Sequence, residues 1–249
     1  MTGTAWHELE KSLRLFPIHG GRLWLGYKGY FGVRHIWFPP DVTGVSGLQS
    51  NDLMVVPSPS SSASPKDALR AELRGKRRDY AASLSSDTRA ALEAELVRWA
   101  EPLLFAASVV AAYQPMKAEI SPLPLLARAA LLGTETALPA FVARDSRMTF
   151  RPGEATEPGP WGLLQPPLGA PAVTPDLIFV PLVGCDRSGN RIGMGQGHYD
   201  RALAGLRGSA RLVGVGWDFQ LLDKPMAADP WDQPLNAFLS PSQLIEFSA

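Results

Sequence analysis

The sequence has almost no cysteine, no net charge and no long apolar run. Cys185 is the single cysteine among 249 residues, which excludes an intrachain disulfide and a zinc site built on cysteines. Basic and acidic residues number 24 each, so no overall field attracts nucleic acid or an anionic membrane. The N-terminal stretch MTGTAWHELEKSLRL lacks the apolar region of a secretion signal, and no run reaches membrane-spanning length. We therefore expect a cytoplasmic protein that binds neither nucleic acid nor membranes.

A Ser/Pro-rich stretch divides the chain. Residues 57–64, PSPSSSAS, have nothing apolar to bury and predict a linker between residues 1–56, an N-terminal extension, and residues 65–249, the main domain. In the extension, GRLWLGYKGYFGVRHIWF (residues 21–38) predicts two short strands around a glycine-containing turn. Its aromatic and basic side chains would suit base stacking, but a small hydrophobic hairpin core is the favoured interpretation. The sequence leaves the role of residues 1–64 open.

The main domain alternates between helix and strand patterns. Ser64 as N-cap, Pro65 at the first helical position and Asp67 in the first turn predict a helix that ends near Ser83. Further helices are predicted at residues 87–105 and 122–132, and strands at residues 108–113, 139–143, 148–151, 177–181 and 212–216. This alternation predicts an α/β fold of three layers, α/β/α, with a mainly parallel central sheet. Ligands bind beyond the carboxyl ends of such strands, so residues 113–119 and 191–200 should converge on one cleft.

The most informative part of the sequence is DLIFVPLVGCDRSGNRIGMGQGHYDRAL, residues 176–203. An apolar strand and a polar turn lead to Arg191, then to a glycine segment and a predicted helix start at His198. The alternating glycines of this segment are Gly193, Gly195 and Gly197. Such glycines let the backbone approach a ligand with inward N–H groups, and a helix N-terminus favours an anion. The pattern predicts a phosphate site with Arg191 at its mouth, although it is neither a P-loop nor a dinucleotide fingerprint. A flexible turn is the alternative.

A long Pro-rich segment, residues 151–175, has no periodic pattern. Loops of this length inside a compact domain are usually functional or disordered. Trp161 lies in its middle. The indole either packs on the domain or covers a ligand ring, and the sequence does not separate these two interpretations.

Several stretches together resemble a known enzyme family. In chain order they are KDALRAELRGKRR, YQPMKAEI, MTFR, WGLLQP, the long stretch from Asp176 to Leu203, and WDQPLNAFLSP. This set, which spans about residues 65–241, resembles the 5-formyltetrahydrofolate cyclo-ligase family, also called 5,10-methenyltetrahydrofolate synthetase. The resemblance implies an ATP- and Mg-dependent enzyme that closes 5-formyltetrahydrofolate to 5,10-methenyltetrahydrofolate and releases ADP and phosphate. Residues 1–64 lie outside it.

The resemblance also implies roles for individual residues. Lys66 and Arg70 match ATP contacts, and Lys66 and Arg191 are the candidate catalytic cations. The nucleotide loop matches Arg191, Gly193, Met194, Gly195, Gln196, Gly197, His198 and Tyr199. Folate contacts are implied for Gln114, Glu119, Trp161, Met194 and His198, and a magnesium ligand for Asp200. Without the resemblance, Lys66 and Arg70 would be interpreted as a solvated helix face, and Glu119 and Asp200 as ordinary acids near helix starts.

Two positions depart from the family pattern. His198 stands where the family carries the first tyrosine of GYYD, which keeps an aromatic ring but adds a titratable group. Asn236 stands where the resemblance implies a metal-binding aspartate, so one charge is missing and magnesium should bind more weakly. Asp232 is a possible substitute if the loop shifts.

The expected function is therefore an ATP-dependent cyclo-ligase acting on a reduced folate, as a monomer or weak homodimer. The chemistry asks mainly for positioning and charge neutralisation, which suits a chain without an evident nucleophilic triad. The alternative is a catalytically weak regulatory protein on the same scaffold, which binds a nucleotide or a sugar phosphate.

Overall fold

The computed structural model describes residues 13–18, 22–27, 64–206, 208–229 and 231–247. The chain divides into two compact units, residues 1–63 and 64–249. In the first unit, β1 (Leu13–Ile18) and β2 (Arg22–Tyr27) pair antiparallel, with Leu13 opposite Tyr27 and Ile18 opposite Arg22. The hairpin thus uses an earlier partner strand than the predicted one, since only β2 belongs to the predicted segment. Residues 28–38 lie outside the described part of the chain.

Two long helices open the second unit, as predicted. Helix α1 (Pro65–Ser83) begins where the Ser64 hydroxyl oxygen accepts a hydrogen bond from the backbone N–H of Asp67. Helix α2 (Ser86–Ala106) is capped in the same way by Ser85, which accepts from the N–H of Thr88. Each cap satisfies an N–H group that has no partner inside its helix. The third predicted helix, α3, spans Leu123–Leu131.

A seven-stranded sheet forms the centre of the unit, in the order β14-β13-β11-β8-β3-β4-β5. These strands are β3 (Val109–Ala111), β4 (Glu135–Ala140), β5 (Thr149–Pro152), β8 (Leu177–Pro181), β11 (Arg211–Val215), β13 (Ala237–Ser240) and β14 (Gln243–Glu246). The five inner strands run parallel, and β5 and β14 pair antiparallel at the two edges. The mainly parallel sheet expected from the sequence is therefore confirmed.

Both faces of the sheet are covered, which gives the three layers. Along β8, Leu177 and Phe179 pack into a core that includes residues of α2 and α3. Ile178 and Val180 face the opposite core, which includes residues of α4 (His198–Leu203). Because a strand between two covered faces buries every side chain, β8 appears in the sequence as a continuous apolar run.

Two small sheets, which the sequence did not reveal, shape the loops above the central one. Strands β9 (Gly184–Asp186), β10 (Arg191–Ile192) and β12 (Leu221–Leu222) pair in the order β10-β9-β12. Strands β6 (Glu157–Pro158) and β7 (Leu164–Gln165) form a hairpin within the Pro-rich segment. The buried Asp186 carboxylate accepts from the N–H groups of Ser188 and Asn190 at 2.9 and 3.0 Å. This turn delivers the chain to the glycine segment. Across the described part of the chain, no helix is long and apolar enough to cross a membrane.

Candidate active site

A cleft of about 660 Å³ lies at the ends of the parallel strands. The loops that follow β3 and β10 both line it, as predicted. Every candidate site residue inferred from the sequence lies on its wall except Asn236. The structure therefore brings the proposed nucleotide and folate residues to one place.

The glycine segment forms part of this wall in a conformation that favours glycine. Gly195 and Gly197 have φ values of +93° and +64°, in the left-handed region. The Arg70 Nε–H donates to the Gly193 carbonyl oxygen at 2.9 Å, which ties the segment to α1. Gly197 is the N-cap of α4, which is only six residues long. Backbone shape and the nearby guanidinium, more than the short helix, therefore make this wall suited to an anion.

Lys66 lies in the first turn of α1 and bridges two acids from a distant loop. Its Nζ donates to Asp229 Oδ2 at 2.8 Å and to Asp232 Oδ2 at 2.7 Å. Burial of the Lys66 ammonium opposes its charge, but these two hydrogen bonds outweigh it and raise the pKa of Lys66 above its usual value. Burial likewise opposes the Asp232 carboxylate, yet the contact with Lys66 lowers the Asp232 pKa overall. Lys66 and Asp232 are therefore both charged at neutral pH.

Arg191, predicted as the cation at the mouth of the phosphate site, lines the cleft and is paired with an acid. Its side chain is only 5% exposed, and its Nη2 lies 2.5 Å from Oδ1 of Asp200. Arg191 belongs to β10, which pairs with β9 and places it opposite Cys185. The guanidinium carbon lies 6.0 Å from the centre of the Tyr199 ring. Arg191 thus neutralises Asp200 in this structure.

Asn236 is not part of the cleft, which corrects the expectation that it supports a metal. It precedes β13, and its Oδ1 accepts from the backbone N–H of Leu212 at 2.7 Å. Leu212 is near the start of β11, so Asn236 lies at the amino ends of the parallel strands. The side-chain oxygen that was expected to bind a cation is therefore engaged in joining two strands. Asp232, four residues earlier, reaches the cleft instead.

Asp200 and Asp232 are two carboxylates of the cleft that could hold a magnesium ion. No group of three or more His, Cys, Asp or Glu side chains suited to a metal occurs among the residues that the structure describes. Two carboxylates that line one cleft fit magnesium better than zinc or calcium, because magnesium usually takes one or two carboxylates together with phosphates and water. The residues present are therefore compatible with magnesium brought in with a phosphate ligand.

A second kind of wall is formed around Glu119. Its carboxylate accepts from the Met116 N–H at 3.0 Å and pairs with Arg77 at 3.2 Å. Burial raises the pKa of Glu119, and both contacts oppose that rise. Oε1 of the neighbouring Gln114 is buried without a hydrogen-bond partner in the structure. Acceptors held in a buried wall suit a ligand that presents N–H groups.

Three aromatic rings face one another at the edge of the cleft. The Trp161 ring centre lies 5.1 Å from that of Phe141 and 5.0 Å from that of His198. Gln165 fixes this arrangement, because its side-chain amide makes hydrogen bonds of 3.0 and 3.1 Å to the backbone of Phe141. Trp161 remains 40% exposed and has φ of +63°, which is strained for a residue with a side chain. It both packs on the domain and offers a ring to the cleft.

Three further residues of the loop, His198, Gln196 and Met194, each contact an arginine side chain. His198 contacts Arg201 through Nδ1 at 3.0 Å, and burial followed by that positive charge lowers the His198 pKa. The Gln196 carbonyl oxygen accepts from Arg201 at 3.0 Å. The Met194 sulfur lies 3.8 Å from Nη2 of Arg77. These contacts hold the segment from two sides.

Sequence reasoning did not single out Arg77, Asp229 or Phe141 as site residues. For Arg77 a signal was present, since the helical repeat of α1 places it on the basic face with Lys66 and Arg70. Asp229 and Phe141 gave no comparable signal, because tertiary contacts alone bring them to the cleft.

The fold and the cleft define an α/β protein in which a cationic, glycine-lined wall lies next to a wall of buried acceptors and aromatic rings. The sequence profile of the 5-formyltetrahydrofolate cyclo-ligase family matches residues 62–241. The chain belongs to this family.

Relatives agree with that assignment. A 5-formyltetrahydrofolate cyclo-ligase of Mycolicibacterium smegmatis is 34% identical over 165 residues, which cover 61% of this chain and 83% of the relative. The 5,10-methenyltetrahydrofolate synthetase structure from Aquifex aeolicus has a TM-score of 0.61 at 28% identity, covering 73% of this chain and 94% of the other. That from Mycoplasma pneumoniae has a TM-score of 0.54 at 24% identity, covering 71% and 99%, and supports the fold.

Proposed function

We propose that this protein catalyses the ATP-dependent ring closure of 5-formyltetrahydrofolate to 5,10-methenyltetrahydrofolate, with release of ADP and phosphate. One observation carries the proposal. The cationic, glycine-lined wall around Lys66 and Arg70 and the acceptor wall around Glu119 line the same cleft. A nucleotide phosphate on the first wall would meet a folate ring on the second, as the reaction of this family requires.

The proposed chemistry begins with phosphoryl transfer. The formyl oxygen of the substrate attacks the γ-phosphorus of ATP, so an O–P bond forms and the bond from that phosphorus to the ADP oxygen breaks. Phosphoryl transfer depends mainly on alignment and on neutralisation of charge. Lys66 supplies a preorganised ammonium held by Asp229 and Asp232, and Arg70 supplies a guanidinium beside Gly193. These groups would hold the phosphates in line with the formyl oxygen.

Ring closure follows on the folate. N10 attacks the formyl carbon and gives up its proton, and the C–O bond breaks with its electron pair going to the departing phosphate, which takes up that proton. The N5 lone pair completes the cationic methenyl bridge between N5 and N10. Glu119 and Gln114 would orient the ring through its N–H groups, and Trp161 and His198 would cover it. Arg191 holds Asp200 in place. Asp200 and Asp232 would hold magnesium, which supplies further neutralisation of phosphate charge when it is bound.

The experiment is a direct assay of the product. Purified protein, ATP, magnesium and 5-formyltetrahydrofolate should give a near-UV absorbance increase from the methenyl product, matched by release of ADP. A reaction without ATP is the control and should give no enzyme-dependent increase. Nucleotide binding without turnover would overturn the proposal in favour of a regulatory protein.

A further inference from the structure

Arg77 is a buried cation two turns of α1 beyond the nucleotide-facing Arg70. Its side chain is 6% exposed, and that of its partner Glu119 is 7% exposed. Nη1 lies 3.2 Å from Glu119 Oε1 and also donates to the Leu182 carbonyl oxygen at 3.1 Å. A guanidinium buried to this extent needs a specific partner, because the protein interior stabilises an unpaired charge poorly. Glu119 is that partner.

The two residues have different positions relative to the cleft. Glu119 lines the cleft, whereas Arg77 lies behind it and outside the lining. Arg77 therefore acts on a ligand through the cleft residues that it contacts: the Glu119 carboxylate, the Leu182 backbone carbonyl and, 3.8 Å from Nη2, the Met194 sulfur. The Leu182 carbonyl is backbone, and its position is set by the chain rather than by Arg77. Since the Met194 contact is with a thioether, which is a weak acceptor, the carboxylate is the group that Arg77 controls.

Other charged or titratable groups around Glu119 do not replace Arg77. Tyr113 and Tyr199 face it, but burial raises the pKa of both phenols, so they are neutral at physiological pH. Arg89 donates to the backbone carbonyl oxygen of Glu119 and pairs with Glu93. Among the described residues, Arg77 is thus the cation that hydrogen-bonds this carboxylate.

We propose that Arg77 is a positioning residue, which keeps Glu119 an aimed carboxylate for the N–H edge of the folate ring. The inference rests on the proposed function, since it assigns that ring to the Glu119 wall. An ionised carboxylate can accept hydrogen bonds from both the ring amide N–H and the adjacent amino group. A protonated acid carries an O–H donor of its own, which would face one of these two donors without an acceptor between them. Burial favours the protonated form, and the Arg77 charge opposes this.

The test replaces the cation while preserving much of its volume. Arg77→Met should raise KM for 5-formyltetrahydrofolate by roughly 10- to 100-fold, as expected for loss of a hydrogen bond to a charged group, and leave KM for ATP unchanged. Its kcat/KM, divided by that of the wild type at each pH, should rise with pH, because Glu119 without the Arg77 charge would ionise at a higher pH than in the wild type. Arg77→Lys should restore most of the lost activity and flatten this ratio.

Arg78→Met is the matched control, because Arg78 is exposed on the same helix. It should leave both KM values and the pH profile unchanged. A pH-independent ratio for Arg77→Met, or an equal rise in both KM values, would overturn the inference. If the wild type itself gave no methenyl product, the proposed function would fail instead, so the two failures are distinguishable.

A double-mutant cycle keeps the inference testable even if Arg77→Met does not fold. Arg77→Met combined with Glu119→Gln removes both buried charges, which proteins tolerate better than the loss of one. If Arg77 acts through Glu119, the double variant should have a folate KM within about twofold of that of Glu119→Gln alone, because coupled residues are not additive. A further tenfold or larger rise would overturn the inference.

Discussion

The ammonium of Lys66 and the carboxylate of Asp232 lie 2.7 Å apart, although 166 positions separate them in the sequence. Asp229 makes a second contact with the same ammonium at 2.8 Å. The first turn of α1 and the loop before β13 therefore form one side of the cleft. The side chain of Lys66 is already oriented before any phosphate arrives, which reduces the entropy lost on binding.

Lys66→Ala should lower turnover by on the order of 10²-fold, the usual loss for one preorganised charge-stabilising donor. The substitution also leaves Asp229 and Asp232 facing a polyanion without compensation. Steady-state assays at saturating ATP check this. Lys76→Ala is the control, since Lys76 is 59% exposed and pairs with Glu72 one turn away. Near-normal turnover of Lys66→Ala would remove Lys66 from the proposed nucleotide site.

Arg191→Ala should reduce both turnover and stability. Loss of turnover is expected for a candidate catalytic cation, and loss of stability is expected because Arg191 forms a buried pair with Asp200. Removing one partner of a buried pair costs about 3 kcal/mol at the low end, which applies here because Asp200 is partly solvated, with 22% of its side chain exposed. Denaturant unfolding of the variant beside the wild type measures the cost. Equal midpoints would show that the pair contributes nothing to stability.

Asp232 lines the cleft and Asn236 does not, so substitutions at the two positions should affect the magnesium requirement differently. Asp232→Asn should raise the magnesium concentration needed for half-maximal activity, because it removes a charged oxygen from the cleft. Asn236→Asp should leave that concentration unchanged, since the residue lies at the other end of the strands and its oxygen still accepts from Leu212. A magnesium titration of both variants decides, and a lowered requirement in Asn236→Asp would contradict this structure.

Gly195→Ala should weaken ATP binding because alanine is strained in this backbone conformation, not because its methyl group would clash with a neighbour. The added Cβ would lie 3.7 Å from the Arg70 guanidinium carbon, an ordinary contact, but φ of +93° is strained for alanine and costs about 1 kcal/mol or more. Gly75→Ala is the counterpart, since its Cβ would meet nothing within 4 Å inside α1 and should add about 0.5–1 kcal/mol of stability. Unfolding and ATP titration of both variants test the contrast.

Removal of residues 1–60 should leave folding and catalysis largely intact. Residues 64–249 form one compact unit with its own covered sheet, and the matched family region begins at residue 62. Thermal unfolding and kcat/KM of the shortened protein check this, and its elution volume checks the expected monomer or weak homodimer. An aggregated or inactive product would show that the extension completes the core.

The α/β pattern of the main domain could be predicted because local signals agreed with the tertiary structure. Ser64 and Ser85 stand at helix starts, and β8 is apolar along its length because both faces are covered. The sequence predicted strand β4 several residues too late in the chain. Glu135 and Thr136 have no strong strand propensity of their own and belong to β4 because they pair with residues of β3. The small sheets escaped prediction because strands of two or three residues have no measurable period.

The site was predictable where the chain itself brings residues together. The glycine segment and the basic face of α1 are local patterns, and both reach the cleft. The surroundings of Arg191 and Asn236 could not be predicted from the sequence. Those of Arg191 depend on the pairing of β10 with β9, and the Asn236 oxygen is held by Leu212, which is distant in sequence. Chemical type was visible in the sequence, but the direction of each side chain was not.

The lone thiol of Cys185 is fully buried in β9, next to the strand that delivers Arg191. Burial also raises its pKa, so little reactive thiolate is present in the folded protein. Because the sequence contains no other cysteine, any labelling by a thiol reagent must follow an opening of this part of the molecule. The protein therefore carries a natural single-site probe of local unfolding, whose labelling rate would register how much a bound nucleotide stabilises this part of the molecule.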